Sequence, residues 1–207
     1  MRSKYLNLIQ EKENFWYLFV FLCLINVLSL YVIHDIIITD PQYFTGGKQS
    51  SVDLYRTISK AIYIIHPLYC FIKIAIISTL LLMGLRLWRI EIPFRQLMVV
   101  SIIAEIAYWI QDLAQIIWFL VIHPDYTMKE VDNFSFLSLQ FIAGTNTSDT
   151  TKALLNLISV PEVLFILALI YGLKTITSET TRRVVTIVLG TYGISYVAFV
   201  LVKESLF

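Results

Sequence analysis

Five long apolar runs, separated by more polar connections, are the feature of this sequence that most limits its fold. They cover about residues 15–38, 62–88, 95–122, 153–174 and 184–202. A helix needs about 20 predominantly apolar residues to cross the hydrocarbon core of a bilayer, and each run is close to that length. The mean hydropathy of +0.73 is also far too high for a soluble domain. The sequence therefore predicts an all-α, polytopic membrane protein whose five transmembrane helices form one bundle.

The charges outside these runs predict how the chain is arranged across the membrane. Residues 1–14 alternate apolar and charged side chains at helical spacing, which predicts an amphipathic segment on the inner membrane surface. Residues 15–207 then form a single five-span membrane domain. Lysine and arginine are denser on the side of the N-terminus, with nine residues against six on the other side. The positive-inside rule therefore predicts that the N-terminus lies inside and the C-terminus outside.

The third run, residues 95–122, carries polar side chains at helical spacing. This polar stripe consists of Ser101, Glu105, Tyr108, Asp112 and Gln115. On a helix these positions fall within a wedge of about 80°, and the remaining positions are mostly apolar. An ionised side chain at the bilayer centre costs about 2.5–3.5 kcal/mol. We therefore expect the polar stripe to face the bundle interior or water.

Two more charged residues lie inside other runs. Lys73 is near the middle of the second run, and a hairpin folded symmetrically about "RIEIPF" brings it close in depth to Asp112. We therefore expect an ion pair between Lys73 and Asp112. Glu162 follows Pro161, which either kinks the fourth span or begins a helix there. In the second case the helix dipole favours a carboxylate at Glu162.

These intramembrane groups define the candidate site, which consists of Lys73, Glu105, Tyr108, Asp112, Gln115 and Glu162. Buried ionisable groups of this kind either hold helices together or line the path of a proton or ion. The repeat symmetry and paired broken helices of secondary transporters are absent from the sequence. We therefore expect a polar network that holds the bundle or a partner helix. The alternative is a small transporter or channel with a proton or cation path along Glu105 and Asp112.

Other chemistry has little support in the sequence. His34, His66 and His123 lie near the outer ends of their spans and are weak candidates for a metal site, since no two have close ligand spacing. We expect neither a metal nor another cofactor. The sequence has no nucleophile elbow, phosphate-binding loop or dinucleotide fingerprint, and no basic, aromatic-interleaved face for nucleic acid. We therefore expect a protein that is not an enzyme and has no nucleic-acid partner.

The part of the chain from about residue 60 to residue 203 resembles a known family. The segments that carry the resemblance are "FRQLMVVSIIAEIAYWI", "SVPEVLFILALIYGLKTIT" and "RRVVTIVLGTYGISYVAFVLVK". Over about residues 60–203 their order is similar to that of the Yip family, the Ypt/Rab-interacting five-span membrane proteins, whose domain also occurs in bacteria. The resemblance implies a non-enzymatic integral membrane protein that organises membranes or assists other membrane proteins. It supplies no catalytic residue.

The sequence also departs from that family. Its first connection between spans is long, and it has no long acidic N-terminal region like that of the eukaryotic members. A small GTPase is therefore not expected as a partner. We expect a scaffold, an accessory subunit or a trafficking-type factor whose partners are membrane lipids and another integral membrane protein. The isoleucine-rich composition favours a bacterial inner membrane.

Overall fold

The computed structural model describes residues 14–38, 49–126 and 158–206, and the single residues Val131, Phe134, Ser138, Leu139, Thr151 and Leu155. The helices of this part are α1 (Asn14–Tyr31), α2 (Gln49–Leu87), α3 (Phe94–Ile117), α4 (Val160–Ile176), α5 (Thr181–Val188) and α6 (Ile194–Leu206). Short π-helical segments follow α1 at Val32–Ile38 and α3 at Trp118–Ile122, and Leu189–Gly193 joins α5 to α6. The chain is all-helical over these ranges. The predicted inner-surface segment, residues 1–14, lies outside the described residues except for Asn14.

Four helices are long and apolar enough to cross a membrane. They are Asn14–Ile37, Lys60–Leu87, Phe94–Ile122 and Thr181–Val202. These ranges agree with four of the five predicted runs to within a few residues. The remaining predicted run, residues 153–174, corresponds to α4, which begins seven residues later than predicted. At 17 residues α4 is about 25 Å long.

The start of α4 is fixed by its capping residues. Ser159 has an extended backbone, and its hydroxyl accepts a hydrogen bond of 3.3 Å from the backbone N–H of Glu162. Pro161 lies in the first turn, where its missing N–H costs no helical hydrogen bond. Of the two readings of Pro161, the one in which a helix begins there is confirmed. Ile158 is not helical, because its backbone carbonyl accepts a hydrogen bond from Leu139 instead.

The second helix is longer than its apolar run. The sequence predicts an irregular segment up to Asp53, but α2 already begins at Gln49. Residues 39–48 of that segment lie outside the described residues. No glycine or proline occurs between Gly47 and Pro67, so the backbone has no strong signal that would delay the helix. Pro67 itself lies inside α2 without ending it.

Helix α3 forms the centre of the bundle. It is the most buried of the four candidate spans, and α1 is the least buried. The main core cluster joins α1, α2, α3, α4 and α5, and its most buried α3 residues include Leu97, Val99 and Ala104. Gly172 of α4 packs on α3 so closely that a Cβ atom there would lie 2.6 Å from Cγ1 of Val100. Small residues at such crossings let helix backbones approach within a membrane.

A short connection joins α2 to α3. Backbone hydrogen bonds from Arg89 to Arg86 and from Ile90 to Leu85 end α2, and Arg89 adopts a left-handed backbone with φ of 57°. Pro93 precedes the first residue of α3. The predicted compact hairpin between these two helices is therefore present.

Candidate functional site

Lys73 of α2 and Glu105 of α3 form an ion pair inside the bundle. Nζ of Lys73 lies 2.9 Å from Oε2 of Glu105. The side chain of Glu105 is only 8% exposed, whereas that of Lys73 is 31% exposed. The ammonium also lies 4.1 Å from the ring centroid of Tyr108, which is within the range of a cation–π contact. Lys73 therefore contacts two members of the polar stripe at once.

The partner of Lys73 differs from the prediction. The sequence favours Asp112, but the structure pairs Lys73 with Glu105. The hydroxyls of Ser78 and Ser101 lie 3.1 Å apart, and this contact sets the relative height of α2 and α3. Lys73 lies five residues before Ser78 on α2, and Glu105 lies four residues after Ser101 on α3. Because the two helices are antiparallel, Lys73 and Glu105 lie at nearly the same level. The prediction failed because it placed the turn of the hairpin too far along the chain.

A second group of hydrogen bonds surrounds Glu162. The hydroxyl of Tyr108 donates to Oε2 of Glu162 at 2.5 Å, and the hydroxyl of Tyr192 donates to Oε1 at 3.0 Å. The two tyrosine hydroxyls lie 3.3 Å from each other. Glu162 is 4% exposed and Tyr192 is 6% exposed. Both carboxyl oxygens of this buried side chain therefore have a donor, as buried acids require.

The two groups share Tyr108 and together form what we call the polar network: Lys73, Glu105, Tyr108, Glu162 and Tyr192. It joins α2, α3 and α4 to the π-helical segment between α5 and α6. Oε1 of Glu105 is buried and has no hydrogen-bond partner in the part of the chain that the structure describes. The network can hold helices in register, and this free oxygen leaves room for one more donor or a proton.

Two predicted site residues lie outside the polar network. Asp112 and Gln115 are half-buried, and neither makes a side-chain hydrogen bond or ion pair with another described residue. Both lie one to two turns further along α3 than Tyr108. The structure therefore brings together four of the six candidate residues, namely Lys73, Glu105, Tyr108 and Glu162.

The histidines do not form a common site. Nε2 of His66 lies 3.2 Å from the thiol of Cys70, whose sulfur also accepts a hydrogen bond of 3.5 Å from the amide of Asn26. The ring of His34 instead lies nearly perpendicular to that of Tyr63, with centroids 6.5 Å apart. Among the described residues there is no group of three or more histidine, cysteine or acidic side chains that could hold a metal ion. Cys23 and Cys70 are buried free thiols.

Sequence reasoning missed Tyr192. This residue lies in the π-helical segment Leu189–Gly193, between Gly190 and Gly193. Its ring stacks on that of Tyr196, with centroids 5.7 Å apart and planes inclined by 10°. A pair of tyrosines four residues apart in an otherwise apolar span is a signal that could have revealed this face.

Over the described residues the fold is all-helical, and four of its helices are long and apolar enough for a multi-pass membrane protein. Comparison with known protein families, with curated proteins and with solved structures finds no match to this chain. The resemblance to the Yip family therefore stays a prediction from the sequence.

Proposed function

We propose that this chain is a five-span, non-enzymatic integral membrane protein that acts as a scaffold or accessory subunit of a larger membrane assembly. In this proposal the additional span is the predicted run 153–174, and α4 forms the part of it from Val160 onwards. The same proposal includes the Yip-like order of spans, a bacterial inner membrane and a second integral membrane protein as partner. It includes neither a small GTPase nor nucleic acid as a partner.

The arrangement of cationic residues supports the proposed orientation, with the N-terminus inside and the C-terminus outside. The guanidinium of Arg183, at the start of the last span, lies 5.6 Å from the ring centroid of Trp88, directly after α2. This contact places the α2–α3 and α4–α5 connections at the same end of the bundle. That end gathers Arg86, Arg89, Arg95, Lys174, Arg182 and Arg183, against the acids Glu91 and Glu179. Such an excess of arginine is typical of a cytoplasmic membrane face.

The observation that carries the proposal is that the polar network pairs its groups with one another. Lys73 pairs with Glu105, and Glu162 receives hydrogen bonds from both Tyr108 and Tyr192. Groups that satisfy each other across four parts of the chain fix the register of helices, which a scaffold requires. Catalysis would instead need a reactive group that faces a substrate.

The accessory role is tested by native mass spectrometry of the protein released from the membranes of its own cells in mild detergent. We expect one other integral membrane protein at a fixed ratio to this chain. The same ratio should persist after chemical crosslinking in intact membranes, which controls for association after extraction. A chain that is released alone, both with and without crosslinking, contradicts the proposal.

One observation favours transport as a second candidate function. Oε1 of Glu105 has no partner in the described part of the chain, and Asp112 lies two turns further along the same face of α3. A proton or small cation could use both carboxylates as successive sites. Proteoliposomes with an internal pH dye test this candidate. It requires proton flux above that of empty liposomes, and a loss of that flux in Glu105→Gln and Asp112→Asn.

A further inference from the structure

A cleft opens between α2 and the last two helical segments, beside the polar network. It has a volume of about 430 Å³, which is within the range of ligand pockets. One wall follows α2 from Tyr69 to Leu80, and the other follows the chain from Tyr192 to Phe199. Ile76 and Phe199, one on each wall, are 55% and 65% exposed. The cleft is therefore open sideways, towards the lipid.

Gly84 closes the cleft at one end. A Cβ atom at Gly84 would lie 2.5 Å from Cγ2 of Thr191 and 3.0 Å from Cγ2 of Ile187. The two walls therefore touch at Gly84 and separate towards Tyr69 and Phe199. The cleft is a wedge along about 16 Å of α2, roughly half the hydrocarbon thickness. A transmembrane helix would make contact over the whole span, so a wedge of this length suits a small molecule better.

The polar feature of the cleft is the ammonium of Lys73. This residue lies at the middle of the candidate span Lys60–Leu87 and is 31% exposed. One of its three N–H groups donates to Glu105, and it makes no other hydrogen bond with the described residues. A cation with unused donors at this depth is costly in contact with hydrocarbon. A ligand that accepts a hydrogen bond from Lys73 would therefore fit this cleft better than a purely apolar one.

Depth and charge restrict the kind of occupant. Phospholipid headgroups lie about 15 Å from the bilayer centre, so they do not reach the level of Lys73. An anionic head would approach the carboxyl group of Glu105, which pairs with this lysine, and that of Glu162, which is hydrogen-bonded to Tyr108. A neutral acceptor avoids that repulsion. The tyrosine rings at 69 and 196 provide flat surfaces for an unsaturated ring.

We propose that the cleft binds a neutral, lipophilic carbonyl compound of the quinone class, with one carbonyl oxygen accepting a hydrogen bond from Lys73. The ring lies between the tyrosine walls, and the apolar tail leaves the cleft past Ile76 and Phe199. This inference concerns binding alone and does not depend on the proposed accessory function.

The test is calorimetric titration of the full chain in lipid nanodiscs with decylubiquinone, a benzoquinone with a ten-carbon tail, after subtraction of empty nanodiscs. We expect saturable binding at one molecule per chain. Ile76→Trp, which fills the cleft, should weaken binding at least about tenfold. Ile64→Trp is the matched control, because Ile64 lies on the same helix, is 81% exposed and does not line the cleft. It should leave the affinity unchanged.

The role of Lys73 is tested by a second comparison. Lys73→Met should weaken decylubiquinone binding by about fivefold or more, because it removes the donor while keeping the length of the side chain. Decylbenzene, which has the tail and ring without the carbonyls, should bind the original chain no better than it binds Lys73→Met. Thermal unfolding of each variant verifies its fold. If Lys73→Met does not fold, the two tryptophan variants and decylbenzene decide the question.

Several results would overturn the proposal. Binding no greater than that of empty nanodiscs excludes this ligand class. Equal affinity for decylbenzene excludes recognition of a carbonyl, and equal affinity in Ile76→Trp places the bound molecule elsewhere.

Discussion

Tyr108 of α3 donates a hydrogen bond of 2.5 Å to Glu162, a residue 54 positions later in the first turn of α4. Glu162 is thereby held at the depth of the middle of α3. The N-terminal end of α4, with its extended residue Ser159, consequently also lies near that depth. Non-helical backbone at such a depth is tolerated where protein groups satisfy it. Here the backbone before α4 is paired with the chain at residues 138 and 139. Leu139 donates a backbone hydrogen bond to Ile158, and Ser138 and Ser159 form an isolated antiparallel β-bridge.

The first prediction concerns the hydrogen bond between Tyr108 and Glu162. Tyr108→Phe should lower the free energy of unfolding by about 1–3 kcal/mol, because it removes a donor from a buried carboxyl group. The measurement is SDS titration in mixed micelles, followed by tryptophan fluorescence. Tyr17→Phe is the control, since Tyr17 is 71% exposed, and should change stability by less than about 0.5 kcal/mol.

A double-mutant cycle separates this contact from general loss of packing. In a Glu162→Met background, Tyr108→Phe should cost about 1 kcal/mol less than in the original chain. Equal costs in both backgrounds would show that Tyr108 and Glu162 are not coupled.

The second prediction concerns the choice of partner by Lys73. Glu105→Gln and Lys73→Met should each destabilise the fold by about 1–3 kcal/mol, since each leaves a polar partner in a largely buried position. The double variant should cost less than the sum of the two, because no charge is then stranded. Asp112→Asn should change stability by less than about 0.5 kcal/mol. A larger effect at Asp112 than at Glu105, in the same SDS titrations, would favour the pairing predicted from sequence.

The third prediction concerns the close helix crossing at Gly172. Gly172→Ala should destabilise the chain by about 1–3 kcal/mol, because the new Cβ would lie 2.6 Å from a methyl of Val100, a β-branched residue with little rotamer freedom. Gly190→Ala is the matched control, since a Cβ there meets nothing within 4 Å. Adding Val100→Ala should restore part of the loss in Gly172→Ala. Equal stability of the two alanine variants would refute this packing.

The fourth prediction concerns topology. Five spans with an inner N-terminus place the C-terminus outside, whereas four spans place both termini on one side. Alkaline phosphatase, which folds only outside the cytoplasm, should therefore be active when fused after Phe207 and inactive when fused after Thr180. A green fluorescent protein fusion should give the reverse pattern at the same two sites. Phosphatase activity after Thr180 and none after Phe207 would contradict the proposed orientation.

Much of the fold follows from sequence, because membrane spans depend on local composition. A span shows in the length of an apolar run, and the start of α4 shows in the sequence Ser159-Val160-Pro161-Glu162, which combines a capping residue with a first-turn proline. The inward face of α3 was likewise visible from the spacing of its polar residues. Each of these features is set by neighbours within a few positions of the chain.

The pairing inside the site was harder to predict, because it depends on how helices slide against each other. The contact between Ser78 and Ser101 shows that α2 is displaced against α3 by about one turn relative to a symmetric hairpin, so that Lys73 pairs with Glu105 instead of Asp112. Tyr192 contributes to the network from a π-helical segment, whose extra residue per turn rotates the side chains that follow. The tyrosine pair at 192 and 196 is visible in the sequence, but neither the displacement of the helices nor the π-helical rotation has a signal within a short window of sequence.

The central claim of this account is that the polar network is a packed interior that joins helices, and the most direct test is the access of water to it. Ser101→Cys and Ala104→Cys, in a chain with Cys23→Ser and Cys70→Ser, place thiols at two fully buried positions on the polar face of α3. Ile122→Cys, at a position that is 60% exposed, is the reactive control. We predict that a charged, membrane-impermeant thiosulfonate modifies the control from the outer side and leaves both buried thiols unmodified from either side. Rapid modification of the thiol at 101 or 104 from either side would contradict the claim and show a water-filled path through the bundle.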